Sequence, residues 1–96
     1  MVRYVSERNI ENYLTTQITK AGGLCWKFQS SRAGVPDRII LFNNQIVFAE
    51  LKAPGGKPRK LQERVHTQMR RQGATIVIVD SYESADALVR SLQSAL

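Results

Sequence analysis

The sequence predicts an α/β fold in which a mixed β-sheet is flanked by helices. Apolar residues recur at helical spacing in three segments, and four short runs rich in β-branched and aromatic residues lie between them. Glycine or asparagine residues stand where most of these segments end, as expected of turns and helix ends. The predicted order is αβββαβα, and the 96 residues, 43% hydrophobic, are expected to form one domain, residues 1–96.

The first helix is predicted between Ser6, which can cap its N-terminus, and the pair Gly22-Gly23, which can end it. The apolar residues at helical spacing in this segment are Ile10, Tyr13, Leu14 and Ile18. The segment therefore predicts an amphipathic helix.

Residues 24–28, LCWKF, alternate in character and predict the first strand. Leu24, Trp26 and Phe28 share one face, which is expected to be buried. We therefore interpret Trp26 and Phe28 as core residues rather than as platforms for stacking nucleic-acid bases. The segment QSSRAGVP that follows predicts a loop.

Two further runs, DRIILF at 37–42 and QIVFAELK at 45–52, predict a β-hairpin. Asn43 and Asn44 separate them, and asparagine tolerates the left-handed conformation that a two-residue turn demands. With that loop, Asp37 lies directly opposite Glu50, so the two carboxylates share a face.

The second half of the chain predicts a helix, a strand and a helix. The apolar residues of the second helix are Leu61, Val65 and Met69. This helix closes at Gly73, and residues 74–79, ATIVIV, predict a strand buried on both faces. Ser81 is expected to cap the last helix. The apolar residues of that helix are Ala85, Leu88, Val89, Leu92 and Leu96.

The charged residues of the hairpin require an explanation, because opposed carboxylates destabilise a sheet. A hard divalent cation between Asp37 and Glu50 would remove the conflict, since Mg²⁺ binds one or two carboxylates together with waters and phosphate oxygens. The carbonyl of Leu51 could add a ligand. Lys52 returns to the same face two residues after Glu50 and could stabilise charge on a reacting phosphate.

The hairpin motifs also resemble a known family. Pro36-Asp37 followed by Glu50-Leu51-Lys52 is similar to the PD-(D/E)XK nuclease signature, and GVPD, FAELKAPGG and LQ resemble the VRR-NUC (virus-type replication-repair nuclease) branch. The resemblance covers nearly the whole chain. It implies a restriction-endonuclease-like fold, Mg²⁺ or Mn²⁺ as cofactor, and endonuclease activity on branched DNA such as four-way junctions.

The resemblance also implies roles for individual residues. The implied catalytic residues are Glu7, Asp37, Glu50, Lys52 and Gln62, and the expected metal ligands are Asp37, Glu50, Leu51 and Glu7. Helix geometry favours Glu7 over Glu11, because Glu7 lies three residues before Ile10 and is predicted near the buried stripe. The only histidine, His66, is interpreted as a surface or core residue, since lone histidines seldom act as catalytic bases.

The net charge of +6, from 14 Lys and Arg against 8 Asp and Glu, favours a polyanionic partner. Cations near the signature are candidates for phosphate contacts. The predicted DNA-binding residues are Arg32, Lys57, Arg59, Lys60 and Arg64. Each also has an ordinary alternative as a solvated surface charge, just as Asp37 could cap a turn and Glu50 and Lys52 could lie on a solvated strand face.

Two other functions remain open at this point: a non-catalytic nucleic-acid-binding module that keeps a nuclease fold, and a sequence-specific restriction-type endonuclease. A two-fold symmetric homodimer is expected, because resolving a junction needs two matched cuts and the chain has one ExK site. Tyr4, Val5, Tyr13 and the first strand are candidates for the interface.

The sequence also predicts where the protein acts. A single cysteine, Cys25, excludes an internal disulfide and a Cys-rich zinc site, which fits a reducing compartment. No run of apolar residues reaches membrane-spanning length, and MVRYVSERN lacks the apolar stretch of a secretion signal. A cytoplasmic protein with neither a membrane partner nor a small-molecule cofactor is expected.

Overall fold

The computed structural model describes residues 4–95, which form three helices and four strands in the predicted αβββαβα order. The elements are α1 (Glu7–Lys20), β1 (Leu24–Lys27), β2 (Arg38–Phe42), β3 (Gln45–Leu51), α2 (Lys60–Arg71), β4 (Ile76–Val79) and α3 (Tyr82–Ser94). Leu96, predicted to end the last helix, lies outside the described residues. No helix within residues 4–95 is both long enough and apolar enough to cross a membrane.

The predicted caps define the helix ends. The Ser6 hydroxyl accepts the backbone N–H of Asn9 at 3.0 Å, and Ser81 accepts that of Ser84 at 2.9 Å. Gly22 and Gly73, with φ of 97° and 101°, follow α1 and α2 in the left-handed conformation that glycine adopts without strain.

The four strands form one mixed sheet in the order β1-β2-β3-β4. β2 runs antiparallel to β1 and β3, whereas β3 and β4 are parallel. Asn43 and Asn44 have φ of 50° and 63°, which confirms the two-residue hairpin turn. Phe42 consequently pairs with Gln45, so the predicted register is confirmed along the hairpin.

The main core lies between one face of the sheet and the helices α1 and α3. The helices contribute Ile10, Leu14, Ile18, Ala85 and Leu92, and the strands contribute Cys25, Ile40, Val47, Ala49, Leu51 and Val79. α2 contacts the opposite face near β3 and β4, where His66 lies beside Glu50 and Arg70 donates to the carbonyl of Ile76. The two faces of the sheet are therefore covered unequally.

The predicted buried face of β1 is wrong. Cys25 is the buried residue of this strand, while Leu24 is 44% and Trp26 56% exposed. Phe28 is half-buried, with its ring 5.0 Å from that of Phe48. Alternation predicts that the faces of a strand differ but not which face meets the core, and here α1 packs against the Cys25 face.

The prediction for β4 holds only at its ends. Ile76 and Val79 are buried, but Val77 and Ile78 are half-buried. Val77 and Ile78 stay partly exposed because β4 lies at one edge of the sheet and has only β3 as a neighbour.

Candidate active site

Asp37 and Glu50 come together at the open end of the hairpin. The backbone N–H of Asp37, just before β2, donates to the carbonyl of Ala49 at 3.1 Å. Its Oδ2 accepts the N–H of Leu51 at 2.8 Å. Glu50, on the neighbouring strand, is only 1% exposed. The hairpin therefore places two carboxylates side by side, as its register predicts.

The loop before Asp37 is fixed against α2. Gly34 has φ of 92°, and a Cβ there would lie 2.9 Å from Cγ2 of Val65. Only glycine fits this approach in this backbone conformation. Pro36 is fully buried behind it. The GVPD motif thus anchors Asp37 by packing as well as by hydrogen bonding.

Gln62 links Glu50 to Lys52. Its Nε2 donates to Oε2 of Glu50 at 3.0 Å, and its Oε1 accepts from Nζ of Lys52 at 2.9 Å. The same Oε1 accepts the backbone N–H of Arg59 at 2.8 Å and caps α2. Nζ of Lys52 also lies 3.3 Å from Oε2 of Glu50. Because this position needs a donor and an acceptor on one side chain, an amide suits it where a carboxylate or an apolar group would not.

His66 is part of the same cluster, although the sequence interpretation left it outside. It is 1% exposed, and its Nε2 lies 3.6 Å from Oε1 of Glu50. Among the described residues, neither atom has a hydrogen-bond partner. Burial, helped by the charge of Arg70, lowers the pKa of His66, so the imidazole is neutral at pH 7. The available signal was spacing: His66 follows Gln62 by four residues, one turn along the same helix face.

The surroundings of Glu50 favour its neutral form. Burial and then the negative charge of Asp37 raise the pKa of Glu50 to about 7, although the nearby ammonium of Lys52 opposes the rise. A carboxyl group whose ionisation is opposed by burial and by a neighbouring carboxylate forms a site that a cation would stabilise.

The raised pKa of Glu50 should make the stability of the protein depend on pH. Because the folded state raises the pKa of Glu50 from 4.5, the carboxylic acid contributes stability that is complete below pH 4.5 and is lost as pH rises through about 7. Up to about 3 kcal/mol should be lost from the free energy of unfolding in metal-free buffer. Glu50→Gln is neutral at every pH and should escape this loss.

Urea unfolding at pH 5 and pH 8, in the presence of a chelator, measures the difference between Glu50→Gln and the parent protein. His66 acts in the opposite direction, since its lowered pKa costs stability as pH falls, but it is present in both proteins. Equal changes in the two proteins between pH 5 and pH 8 would contradict the prediction.

The two glutamates of α1 occupy different environments. Glu7 is exposed in the first turn, whereas Glu11 is half-buried and its Oε2 lies 2.8 Å from Nε of Arg38. The helix-face argument that placed Glu7 nearer the buried stripe is therefore wrong about burial. The ion pair explains the difference, because Arg38, next to Asp37 in the chain, holds Glu11 against the sheet.

The predicted DNA-binding cations are all exposed. Lys57, Arg59, Lys60 and Arg64 follow β3 in the glycine-containing loop and on the outer side of α2. Lys60, Arg64 and Arg71 line one shallow groove, together with Glu63, Thr67 and Gln68. Nη2 of Arg32 donates to Oε1 of Gln68 at 3.1 Å, which brings the loop before Asp37 to the same surface.

Comparisons with known proteins identify the family of the chain. No protein-family model matches the chain. A protein of Acyrthosiphon pisum secondary endosymbiont phage 1, named "Putative nuclease p44", is 39% identical over 89 residues, covering 91% of this chain and 96% of the relative. A solved structure of a VRR_NUC domain is 31% identical, with a TM-score of 0.79 over 88% of this chain and 94% of that chain. The chain therefore belongs to the VRR-NUC family of nucleases.

Proposed function

We propose that this protein is a Mg²⁺- or Mn²⁺-dependent DNA endonuclease that acts on branched DNA, such as four-way junctions. The observation that carries the proposal is the cluster of Asp37, Glu50 and Lys52 at one end of the hairpin, with Gln62 bound to both Glu50 and Lys52. Exposed cations in the loop after β3 and on the outer side of α2 provide a place for a phosphodiester backbone to bind, and the cluster provides the groups that would react with it.

The residues present fit a hard divalent cation. Asp37 and Glu50 would hold it, and Oε1 of Glu50 is buried without a hydrogen-bond partner among residues 4–95. The amide of Leu51 points to Asp37, so its carbonyl would face the same side of this extended strand. Within residues 4–95, no group of three or more His, Cys, Asp or Glu side chains could hold a metal ion, so an ion at Asp37 and Glu50 would need waters and substrate oxygens as further ligands.

When bound, such an ion supplies an activated water and neutralises charge on the phosphate. Lys52 contributes a fixed positive charge on the same face, held in place by Gln62. An ammonium fixed in this way stabilises charge that develops on the phosphate without having to reorganise during the reaction. Glu7, exposed at the start of α1, stays a prediction as a further ligand and catalytic residue.

Five exposed cations are the proposed clamp for phosphate groups: Arg32, Lys57, Arg59, Lys60 and Arg64. Their contacts do not depend on base identity, which favours recognition of DNA shape. Arg70 is excluded from this set because its guanidinium binds the carbonyl of Ile76.

The salt dependence of binding tests the clamp. Replacing Arg59 and Lys60 together by glutamine should flatten the slope of log affinity against log salt by up to about two units, since each lost phosphate contact releases one fewer counterion. Fluorescence anisotropy with labelled DNA at several salt concentrations measures this slope. Lys20 and Arg90, exposed on α1 and α3, provide the matched double substitution, which should keep the parent slope. Equal slopes for both double variants would show that Arg59 and Lys60 are solvated surface charges that do not contact phosphate.

The active unit of this nuclease is a two-fold symmetric homodimer in the cytoplasm. Each chain has one Glu50-Leu51-Lys52 motif and can therefore make one cut. Two copies related by a two-fold axis would supply the two matched cuts that a two-fold symmetric junction requires. Among the candidate interface residues, Tyr4 is 96% exposed, Val5 packs against the core, and the Tyr13 hydroxyl donates to Asp86. Light scattering after size-exclusion chromatography measures the mass, and a monomer that persists when junction DNA is bound would refute the dimer.

The activity itself is tested with a panel of labelled linear, flapped and four-way DNAs of matched sequence, with a chelator, Mg²⁺ or Mn²⁺. Cleavage of branched DNA that needs the metal is the expected result. Cleavage confined to one base sequence would favour a restriction-type enzyme instead. Binding without cleavage under any metal would favour a non-catalytic nucleic-acid-binding module.

A further inference from the structure

The sheet face that carries Asp37 and Glu50 is only partly covered. α2 shields it near β3 and β4, but Leu24, Trp26 and Ile46 are 44%, 56% and 62% exposed. Contiguous apolar surface of this kind marks interaction sites in soluble proteins. An exposed tryptophan is the most telling member, because its large apolar surface favours burial.

Trp26 lies close to the candidate active site on this same face. It pairs with Ile39, and two residues further along the strands the N–H of Phe28 donates to the carbonyl of Asp37 at 2.9 Å. One two-residue step is about 6.7 Å and one strand spacing about 4.8 Å, so Trp26 and Asp37 have Cα atoms roughly 8 Å apart. This separation is comparable with the size of a nucleotide.

The strand that carries Trp26 is held firmly. All four residues of β1 pair with β2, and the next aromatic residue, Phe28, packs edge-to-face against Phe48 at 5.0 Å between ring centroids. The paired strand fixes the backbone position of Trp26, so stacking on its indole requires no rearrangement of the backbone, which favours binding.

We propose that Trp26 stacks on a nucleobase that is unstacked at a DNA branch point, next to the phosphate that a metal ion at Asp37 and Glu50 would bind. This inference rests on the proposed function and names the residue that selects branched over continuous DNA. A base at a branch point has lost a stacking neighbour, and the indole replaces it. Bases inside a continuous duplex keep their neighbours and gain nothing from Trp26. Aromatic platforms stack on any base, so the preference is for DNA structure and not for sequence.

Continuity with the active site favours a nucleobase over a second protein chain as the occupant. A chain packed on Trp26 and its neighbours would also cover the β2 side of Asp37, where the substrate must approach. Arg32, in the loop between β1 and β2, is exposed, and its guanidinium donates to Gln68 of α2, so it can hold phosphates on the α2 side of the site. Cations beside an aromatic platform are the usual arrangement for a splayed nucleic-acid strand.

The fluorescence of Trp26 provides a direct test, because the sequence contains one tryptophan. The parent protein is titrated, in a chelator, with a four-way junction and with a continuous duplex of matched sequence. Stacking predicts strong quenching by the junction and little by the duplex at equal saturation. Equal quenching by both, or none by either at saturation, would overturn the proposal.

Binding by variants provides the second measurement. Trp26→Ala should bind the junction about five- to 100-fold more weakly and the duplex within about twofold of the parent. Trp26→Phe, which keeps an aromatic face, should recover most of the difference. Ile46→Ala is the matched control, since it removes an exposed apolar side chain from the same face, further from Asp37, and should bind both DNAs like the parent. Trp26→Ala with unchanged preference for the junction would refute the proposal.

Two further outcomes separate this inference from its alternatives. If a second copy covers the face, fluorescence will change with protein concentration without DNA, Trp26→Ala will reduce the mass measured by light scattering, and the proposal fails. If the junction quenches Trp26 but no DNA is cut with any metal, the stacking stands and the nuclease activity fails. If the DNA is cut normally but the junction does not quench Trp26 more than the duplex does, the nuclease activity stands and the stacking proposal fails.

Discussion

Glu50→Gln and Asp37→Asn are each expected to reduce DNA cleavage at least about a thousandfold, because each would remove a proposed charged ligand of the metal ion and several kcal/mol of transition-state stabilisation with it. DNA binding should change little, since the phosphate contacts come from cations elsewhere on the surface. The alanine variants should behave alike, but the amides keep the shape of the cluster. Single-turnover cleavage of a labelled junction, with binding measured separately, gives both quantities.

The matched control is Glu83→Gln, which removes one exposed carboxylate from the first turn of α3. It should cleave at the parent rate. Undiminished cleavage by either Asp37→Asn or Glu50→Gln in metal-containing buffer would refute the site. The free energy of unfolding of Glu50→Gln at pH 8 gives a second test. If the variant is inactive but more stable than the parent, the carboxylate of Glu50 serves catalysis and lowers the stability of the fold.

Lys52→Ala is expected to lower the rate of the chemical step about 100-fold or more, with little change in the metal concentration that gives half the maximal rate. Nζ of Lys52 donates a hydrogen bond to Gln62 and forms an ion pair with Glu50. A protonated ammonium has no lone pair for a metal ion, so its loss should affect the chemical step and not metal binding. Rates measured across a range of Mg²⁺ concentrations separate the two effects.

Lys52→Met preserves the length of the side chain without its charge and should lose as much activity as Lys52→Ala. Lys20→Met, on the exposed side of α1, removes the same charge away from the cluster and should be active. A large rise in the required metal concentration, with an unchanged maximal rate, would instead make Lys52 an organiser of the metal site.

Local interactions explain which features the sequence predicted correctly. Helix caps at Ser6 and Ser81 and the turn at Asn43-Asn44 involve residues that are neighbours in the chain, so their chemistry can be read from the sequence. The turn then fixed the pairing of β2 with β3, and that pairing brought Asp37 to Glu50. This part of the cluster followed from one two-residue loop.

Other residues depended on contacts between distant segments. The sequence favours Glu7 over Glu11 because it does not reveal that Arg38, 27 residues away in the chain, lies beside Glu11 in the fold. The sequence does not connect His66 with Glu50, because the two become neighbours only when α2 packs on the sheet. Gln62 was identified through family resemblance, while its bridging hydrogen bonds are a property of the folded chain.

The sequence by itself determined the αβββαβα order, the hairpin register and the meeting of Asp37, Glu50 and Lys52, since periodicity, caps and turns act over a few residues. Only the tertiary structure decided which face of β1 is buried, that β4 is an edge strand, and that α2 brings Gln62 and His66 to Glu50. Periodicity distinguishes two faces of an element, but burial against distant segments chooses between them. Trp26 is exposed for that reason, on the face that also carries the candidate active site.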